Sequence, residues 1–143
     1  SEAVRRAQAP GISEQVTLTG LLRGADRLDA LAAADVVVYP SSDEVFGLVA
    51  CEAVLAGTPV IVGNDSGAAE VVAASGGGVA VPPNDAAALA TAIRRVLDDH
   101  EAWQRKASSA AQRVRSLFGV DPVVSALEAV YDGVVAGALR ASA

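Results

Sequence analysis

The stretch from Val36 to Asn64 constrains the fold most, because strand-like and helix-like segments alternate within it. Residues 36–39 are β-branched or aromatic, and the polar residues 41–44 that follow suit a loop. Residues 48–56 have helical composition and lead into a second apolar strand over residues 60–62. The order strand, loop, helix, strand predicts a βαβ unit of a parallel sheet, with its polar loops gathered at the carboxyl ends of the strands.

Glu52 is the unusual residue of the predicted helix, because its neighbours from Leu48 to Leu55 are otherwise apolar. Such a helix packs between a sheet and another element, where a carboxylate without a partner is costly. Either Glu52 lies on one solvated stripe of the helix, or it faces an open cleft. A cleft would also include Glu44, in the loop that leads through Phe46 and Gly47 to the helix. Two carboxylates beside the first N–H groups of a helix suit a ligand that carries both phosphates and hydroxyls.

The run ADVVVYPSSDEVFGLVACEAVLAGTPVI resembles the signature of the retaining glycosyltransferases of family 4, the group 1 transferases of the GT-B architecture. Glu44 and Glu52 match the two acidic positions of its Glu, seven residues, Glu pattern. The segment Phe46-Gly47-Leu48 matches the part between them, and Gly57-Thr58-Pro59-Val60 matches the end of the unit.

The resemblance covers residues 16–137 and implies an α/β fold: a Rossmann-like parallel sheet flanked by helices, as in the C-terminal half of a GT-B glycosyltransferase. It also implies that residues 1–143 form a partial C-terminal donor-binding domain, truncated at its N-terminus. The family's first strand, its phosphate-binding turn and its N-terminal acceptor domain have no counterpart here. We therefore expect the chain to be inactive on its own.

The family's site residues map onto this chain around Glu44, which is expected to act in catalysis by orienting the hydroxyls of the donor sugar. Glu52 is expected to hold the ribose hydroxyls, since a carboxylate can accept two hydroxyl donors at once. The resemblance also implies three other donor-binding groups. The backbone N–H groups of Phe46, Gly47 and Leu48 lie beside the distal phosphate. The backbone of Leu22 lies beside the base, and a loop with Gly67 and Glu70 lies beside the sugar.

The reaction implied by the resemblance is transfer of a sugar, with retention, from a UDP-, GDP- or ADP-linked donor to an acceptor hydroxyl. The acceptor is expected on the N-terminal domain, and association of the intact enzyme with a membrane surface is compatible with the family. No cofactor or metal is expected, because the sequence has no Asp-x-Asp triplet and a single histidine. Two alternatives stay open: a sugar-nucleotide epimerase of the same fold, and a non-catalytic α/β module that docks through its last helices.

The overall composition excludes several other classes of protein. The length of 143 residues fits one domain with a real core, and more than half of the residues are apolar. A net charge of −6 without any basic run argues against a nucleic-acid partner. No apolar run approaches the roughly 18 residues of a membrane span. The single cysteine, Cys51, cannot form an internal disulfide, which favours a cytoplasmic location.

The remaining segments are predicted from their periodicity. Residues 16–19 have the composition of a short strand, and residues 25–34 that of a helix. The glycines 76–78 are predicted to form a turn, since they lack the lysine and hydroxyl residue of a phosphate-binding loop. Trp103 is predicted to anchor a helix in the core. The last helix is predicted to begin at Asp121 and to bury one apolar face, formed by Val124, Leu127, Val130 and Tyr131.

Overall fold

The structure, a computed structural model, describes residues 2–42 and 44–141. A short 3-10 helix lies at Ser13–Gln15. The helices and strands, in chain order, are α1 (Glu2–Ala7), α2 (Gly24–Ala32), β1 (Val37–Tyr39), α3 (Leu48–Leu55), β2 (Val60–Gly63), α4 (Gly67–Ser75), β3 (Gly78–Val81), α5 (Ala86–Asp98), α6 (His100–Phe118) and α7 (Val120–Ala141).

The three strands form a parallel sheet in the order β1, β2, β3. Val37 pairs with Val60, and Val60 pairs in turn with Gly78. All four residues of β2 are buried, which explains its continuous apolar sequence, because a central parallel strand is covered on both faces. The predicted βαβ unit is confirmed by this pairing.

Helices cover both faces of the sheet. Since side chains alternate along a strand, Val60 and Val62 pack on the face covered by α3, α4 and α6, while Ile61 packs on the opposite face against α5. Trp103 of α6 joins the cluster around Ile61 and is buried, so its predicted anchoring role is confirmed. The predicted α/β class, a Rossmann-like parallel sheet flanked by helices, is also confirmed.

Residues 16–19 do not form the predicted strand. The chain leaves the 3-10 helix with Val16 in an extended conformation, but no ladder hydrogen bonds follow in the described residues. Leu18 remains 58 % exposed. Strand composition alone is not sufficient, because a strand also needs a neighbour that accepts and donates its backbone hydrogen bonds.

The last helix forms as predicted, but the prediction that it buries an apolar face is wrong. It begins at Val120, so Asp121 lies in its first turn. The four residues predicted to be buried, Val124, Leu127, Val130 and Tyr131, are 45 % to 62 % exposed. Periodicity identifies an apolar face on a helix but does not say what covers that face.

Two further predictions concern the glycine run and membrane spans. Gly76 ends α4 in the left-handed conformation, and a Cβ on Gly77 would lie 2.6 Å from the side chain of Val54. Gly76 and Gly77 therefore form the predicted turn, whereas Gly78 is already the first residue of β3. None of the helices in the described parts of the chain is long and apolar enough to cross a membrane.

Candidate functional site

The loops at the carboxyl ends of β1 and β2 touch each other. Gly63 ends β2, and a Cβ added there would lie 2.8 Å from the carbonyl oxygen of Ser41, in the loop that follows β1. The backbone of these loops is therefore in close contact. Ligands of parallel α/β sheets bind at this end of the strands, where Glu44 and Gly67 both lie.

The loop from Glu44 to Gly47 packs directly on the first turn of α4. The N–H of Gly67 donates a 2.8 Å hydrogen bond to the carbonyl oxygen of Glu44, and a Cβ on Gly67 would overlap the backbone of Val45. Gly47 has a φ of 74°, and a Cβ there would lie 2.7 Å from that of Ala68. Glycine is required at both positions, because the two backbones approach too closely for a side chain.

Among the residues that the structure describes, no side chain caps the start of α3 or of α4. At α3, Gly47 occupies the N-cap position, and the N–H of Ala50 is bonded back to the Gly47 carbonyl at 2.9 Å. At α4, the Ser66 hydroxyl donates to the Gly63 carbonyl and does not cap the helix. In α5, by contrast, Asp85 accepts from the first turn. Because the Gly67 N–H of α4 is already bonded to the Glu44 carbonyl, the start of α3 is the better place for backbone donors to an anionic ligand.

Glu44 is held as an ionised acceptor beside these helix starts. The hydroxyl of Tyr39, at the end of β1, donates a 2.7 Å hydrogen bond to Glu44 Oε2. This bond is the largest effect and lowers the pKa of Glu44. Burial raises the pKa, and the backbone N–H groups of Phe46, Gly47 and Val45 each lower it by less, so that the net shift is downward. The same bond raises the pKa of Tyr39. The Glu44 carboxyl is therefore charged at neutral pH and can accept hydroxyl hydrogens.

Phe46 and Leu48 border the same loop. The Phe46 ring meets the ring of Phe118, at the end of α6, edge to face, with 5.4 Å between the ring centroids. This contact ties the loop to α6, while Leu48 is largely exposed at the start of α3. The structure thus places Glu44, Phe46, Gly47, Leu48 and Gly67 together around the starts of α3 and α4.

Glu52 lies on the second turn of α3 and is 21 % exposed. Its Oε1 forms a 2.9 Å ion pair with the guanidinium of Arg27, which is 47 % exposed on α2. Its Oε2 is inaccessible to solvent and has no hydrogen-bond partner among the described residues. Sequence reasoning missed Arg27, because no spacing rule links α2 to α3. The only hint was that consecutive helices beside a strand can be neighbours in space.

Leu22 lies with Arg27 in a shallow cavity of about 430 Å³, whose other lining residues are Leu21, Arg23 and Gly24. Arg27 therefore connects the segment predicted to meet the base with the carboxylate predicted to hold the ribose. Glu70 is exposed in the first turn of α4. It belongs to the helix whose start contacts the loop around Glu44.

A larger cavity, of about 760 Å³, lies away from these residues. It is lined by Gly57 and Thr58, before β2, and by side chains of α6 that include Glu101 and Arg105. It therefore lies toward the amino end of β2, and none of the predicted site residues lines it. Since parallel sheets bind ligands at the carboxyl ends of their strands, we place the candidate site at the loop around Glu44. Within residues 2–42 and 44–141, no group of three or more His, Cys, Asp or Glu could hold a metal ion.

Known proteins share both the sequence and the fold of this chain. It is 41 % identical over 128 residues to the glycogen synthase of Mycobacterium tuberculosis. This match covers 90 % of this chain and 31 % of that protein. It is 38 % identical over 103 residues to the D-inositol 3-phosphate glycosyltransferase of Streptomyces avermitilis. This match covers 72 % of this chain and 22 % of that protein. The chain thus spans about a third or less of the length of these relatives.

Among solved structures, sucrose-phosphate synthase from Thermosynechococcus elongatus matches 95 % of this chain and 34 % of its own, with a TM-score of 0.80 and 36 % identity. Anabaena HepE in complex with UDP-glucose matches 92 % of this chain and 36 % of its own, with a TM-score of 0.79 and 26 % identity. The model of the family "Glycosyl transferases group 1" matches residues 1–114. The chain therefore belongs to the group 1 glycosyltransferases, as the resemblance of the Glu44 to Glu52 segment predicted.

Proposed function

We propose that this chain is the nucleotide-sugar-binding part of a retaining glycosyltransferase, which transfers a sugar from a nucleoside diphosphate sugar to an acceptor hydroxyl. It does so as part of a longer protein, together with an N-terminal domain that binds the acceptor. The chain spans about a third of the M. tuberculosis glycogen synthase, which leaves room in such a relative for a second domain.

The observation that carries the proposal is the position of Glu44 between the starts of α3 and α4. Its carboxylate is ionised, is held by Tyr39, and lies next to the contact between Gly47 and the start of α4. A donor sugar has hydroxyls that a carboxylate can accept, and its diphosphate carries charge that backbone N–H groups stabilise. Glu44 accordingly orients the sugar, while the N–H groups of Phe46, Gly47 and Leu48 receive the distal phosphate. Phe46 and Gly47, whose N–H groups contact the Glu44 carboxylate in the free chain, exchange that contact for the phosphate when the donor binds.

The remaining residues divide between the nucleoside and the sugar. Glu52 accepts hydrogen bonds from the ribose hydroxyls, and the backbone at Leu22, in the cavity shared with Arg27, meets the base. Gly67 and Glu70 border the sugar. The structures of HepE in complex with UDP and with UDP-glucose support a nucleotide sugar as the ligand class, and UDP as the first candidate to test beside GDP and ADP.

Calorimetry of the chain against UDP, GDP, ADP and their sugar conjugates tests the proposal. Wild-type protein should bind one base selectively. The substitution Glu52→Gln should weaken that binding by about 1 to 3 kcal/mol, or about 5- to 150-fold, the scale of hydrogen bonds to a charged group. Glu101→Gln is the matched control, because Glu101 also pairs with an arginine, Arg105, but lies on the surface of α6.

Equal affinity of Glu52→Gln and Glu101→Gln, in protein that keeps its fold, would remove Glu52 from the ribose site. Absence of binding to every nucleotide would contradict donor binding by this chain.

The role of Glu44 is tested by turnover in a protein that joins this chain to its acceptor domain. Glu44→Ala should lower turnover more than nucleotide affinity, because it removes a contact to the transferred sugar and leaves the nucleoside contacts in place. Turnover is measured as release of the nucleoside diphosphate. Wild-type turnover in the variant would exclude Glu44 from the mechanism, and an isomerised donor without transfer would identify an epimerase instead.

A further inference from the structure

The two carboxylate oxygens of Glu52 have different surroundings. Oε1 pairs with Arg27 at 2.9 Å, whereas Oε2 is buried and has no hydrogen-bond partner within residues 2–42 and 44–141. A buried oxygen without a partner is unfavourable, and the carboxylate could relieve this cost by turning toward solvent. The ion pair with Arg27 opposes that rotation by attracting the charged group.

The backbone that carries Arg27 is fixed relative to α3. The hydroxyl of the buried Thr58, between α3 and β2, donates a 2.7 Å hydrogen bond to the carbonyl oxygen of Leu31, in the last turn of α2. The half-buried Leu31 also packs against the core cluster that contains Ala53 and Val54 of α3. The guanidinium therefore reaches Glu52 from a helix that is anchored at its far end.

We infer that Arg27 is a positioning residue, which holds the Glu52 carboxylate in the orientation that receives the ribose of the donor. The inference rests on the proposed function, since it concerns the same carboxylate. It adds a residue that the family pattern around Glu44 and Glu52 does not contain. Arg27 lines the cavity of Leu22 as well, so that one side chain borders both the base segment and the ribose carboxylate.

The chemistry of the pair allows Arg27 to stay in place when a ligand binds. Each carboxylate oxygen has two lone pairs, so Oε1 of Glu52 can accept from the guanidinium and from one ribose hydroxyl at the same time. The guanidinium has five N–H donors in a planar fork, so a small turn of the carboxylate toward the second hydroxyl keeps the ion pair. Ribose hydroxyls are neutral and do not compete for the charge of Arg27.

The test is a double-mutant cycle in calorimetry on the full 143-residue chain. The ligands are UDP, GDP and ADP, each beside its 2′-deoxy counterpart. The proteins are wild type, Arg27→Gln, Glu52→Gln and the double variant, with Arg105→Gln as the control that removes an exposed arginine of another Arg–Glu pair. Melting followed by Trp103 fluorescence reports whether each variant is folded.

We expect Arg27→Gln to weaken binding of the preferred ribonucleotide by about 5- to 20-fold and to reduce its advantage over the 2′-deoxy form. In the Glu52→Gln background the same substitution should have almost no further effect, since Arg27 acts through Glu52. Arg27→Lys should restore part of the affinity, because the charge is kept and the fork is lost.

Three results would overturn the inference while leaving nucleotide binding by the chain intact. They are equal affinity of Arg27→Gln and Arg105→Gln, an undiminished effect of Arg27→Gln in the Glu52→Gln background, and tighter binding by Arg27→Gln. The last result would identify the ion pair as a competitor of the ligand. If wild-type protein binds none of the nucleotides, the proposed function itself fails, and the inference fails with it.

Discussion

The substitution Gly67→Ala tests the contact that builds the site. A Cβ at this position would overlap the carbonyl oxygen of Val45 and lie 2.9 Å from the Cα of Phe46. Both neighbours are backbone, so no flexible side chain can move away. The loop must retreat from α4 by about 1 Å, which strains or breaks the 2.8 Å hydrogen bond from the Gly67 N–H to Glu44.

The expected cost follows from these contacts. Overpacking against rigid neighbours costs about 1 to 3 kcal/mol, and loss of one hydrogen bond costs about 0.5 to 1.5 kcal/mol. Because Val45 and Phe46, which the added Cβ would meet, are exposed and can move in part, we expect a loss of about 2 kcal/mol in the free energy of unfolding. For a chain of this length that loss corresponds to a melting temperature lower by about 6 to 10 °C.

Thermal melting followed by Trp103 fluorescence measures this change, and calorimetry with UDP, GDP and ADP measures its effect on the site. Gly133→Ala is the matched control, because Gly133 lies in α7 and a Cβ there meets no atom within 4 Å. It should leave the melting temperature unchanged or raise it slightly, since alanine favours a helix by up to about 1 kcal/mol over glycine.

The result that would refute this reasoning is a Gly67→Ala variant with the melting temperature and the nucleotide affinity of wild type. Such a result would mean that the loop and α4 are not held together as the structure shows. Loss of affinity with an unchanged melting temperature would mean that the loop relaxes freely but that its position matters for the ligand.

Three further predictions concern single groups and the last helix. Tyr39→Phe should raise the pKa of Glu44 toward its ordinary value, as measured by a ¹³C NMR titration. Any binding that needs the ionised carboxylate should then be lost at a higher pH than in wild type. An unchanged pKa would contradict the hydrogen bond from Tyr39. Burial and the charge of Glu52 raise the pKa of Cys51. Its thiol should therefore react with Ellman's reagent at least about 10-fold more slowly in the native than in the unfolded protein. Rapid labelling of the native protein would contradict its burial. A chain that ends at Gly119 should melt within about 2 °C of the full chain, because the α7 side chains over residues 123–137 are exposed. Loss of cooperative melting would show that α7 contributes to the core.

The central unit could be predicted from the sequence because local and tertiary preferences agree there. The apolar residues of β2 read as a strand on local grounds and are also buried on both faces. In α3 the apolar composition likewise matched the burial of Ala50, Ala53 and Val54. Where local preference and tertiary burial favour the same structure, composition and the residues that end helices and strands are sufficient to predict that structure.

The failures come from properties that depend on a neighbour in space. Residues 16–19 have strand composition, but pairing is decided by whether an adjacent edge is present, which their own side chains do not encode. The apolar face of α7 was recognised correctly, whereas the prediction of its burial assumed a partner. Local periodicity cannot supply either answer.

The candidate site was predicted unevenly for the same reason. Glu44, Gly47 and Gly67 could be proposed from the family pattern, and the structure brings them into one contact region. Arg27 could not, because its partner Glu52 is on another helix, and neither periodicity nor the family pattern pairs them. Ion pairs between elements become visible only when the packing of those elements is known.

Mapping bound nucleotides in solution tests the proposal that nucleotide sugars bind at the loop between Glu44 and Glu52. Backbone amide NMR spectra of the ¹⁵N-labelled chain, recorded with UDP, GDP or ADP, report which N–H groups respond. We predict shifts at Phe46, Gly47 and Leu48, with further shifts around Leu22 and Gly67. Shifts confined to the α6 cavity around Arg105, or none with any nucleotide, would contradict it.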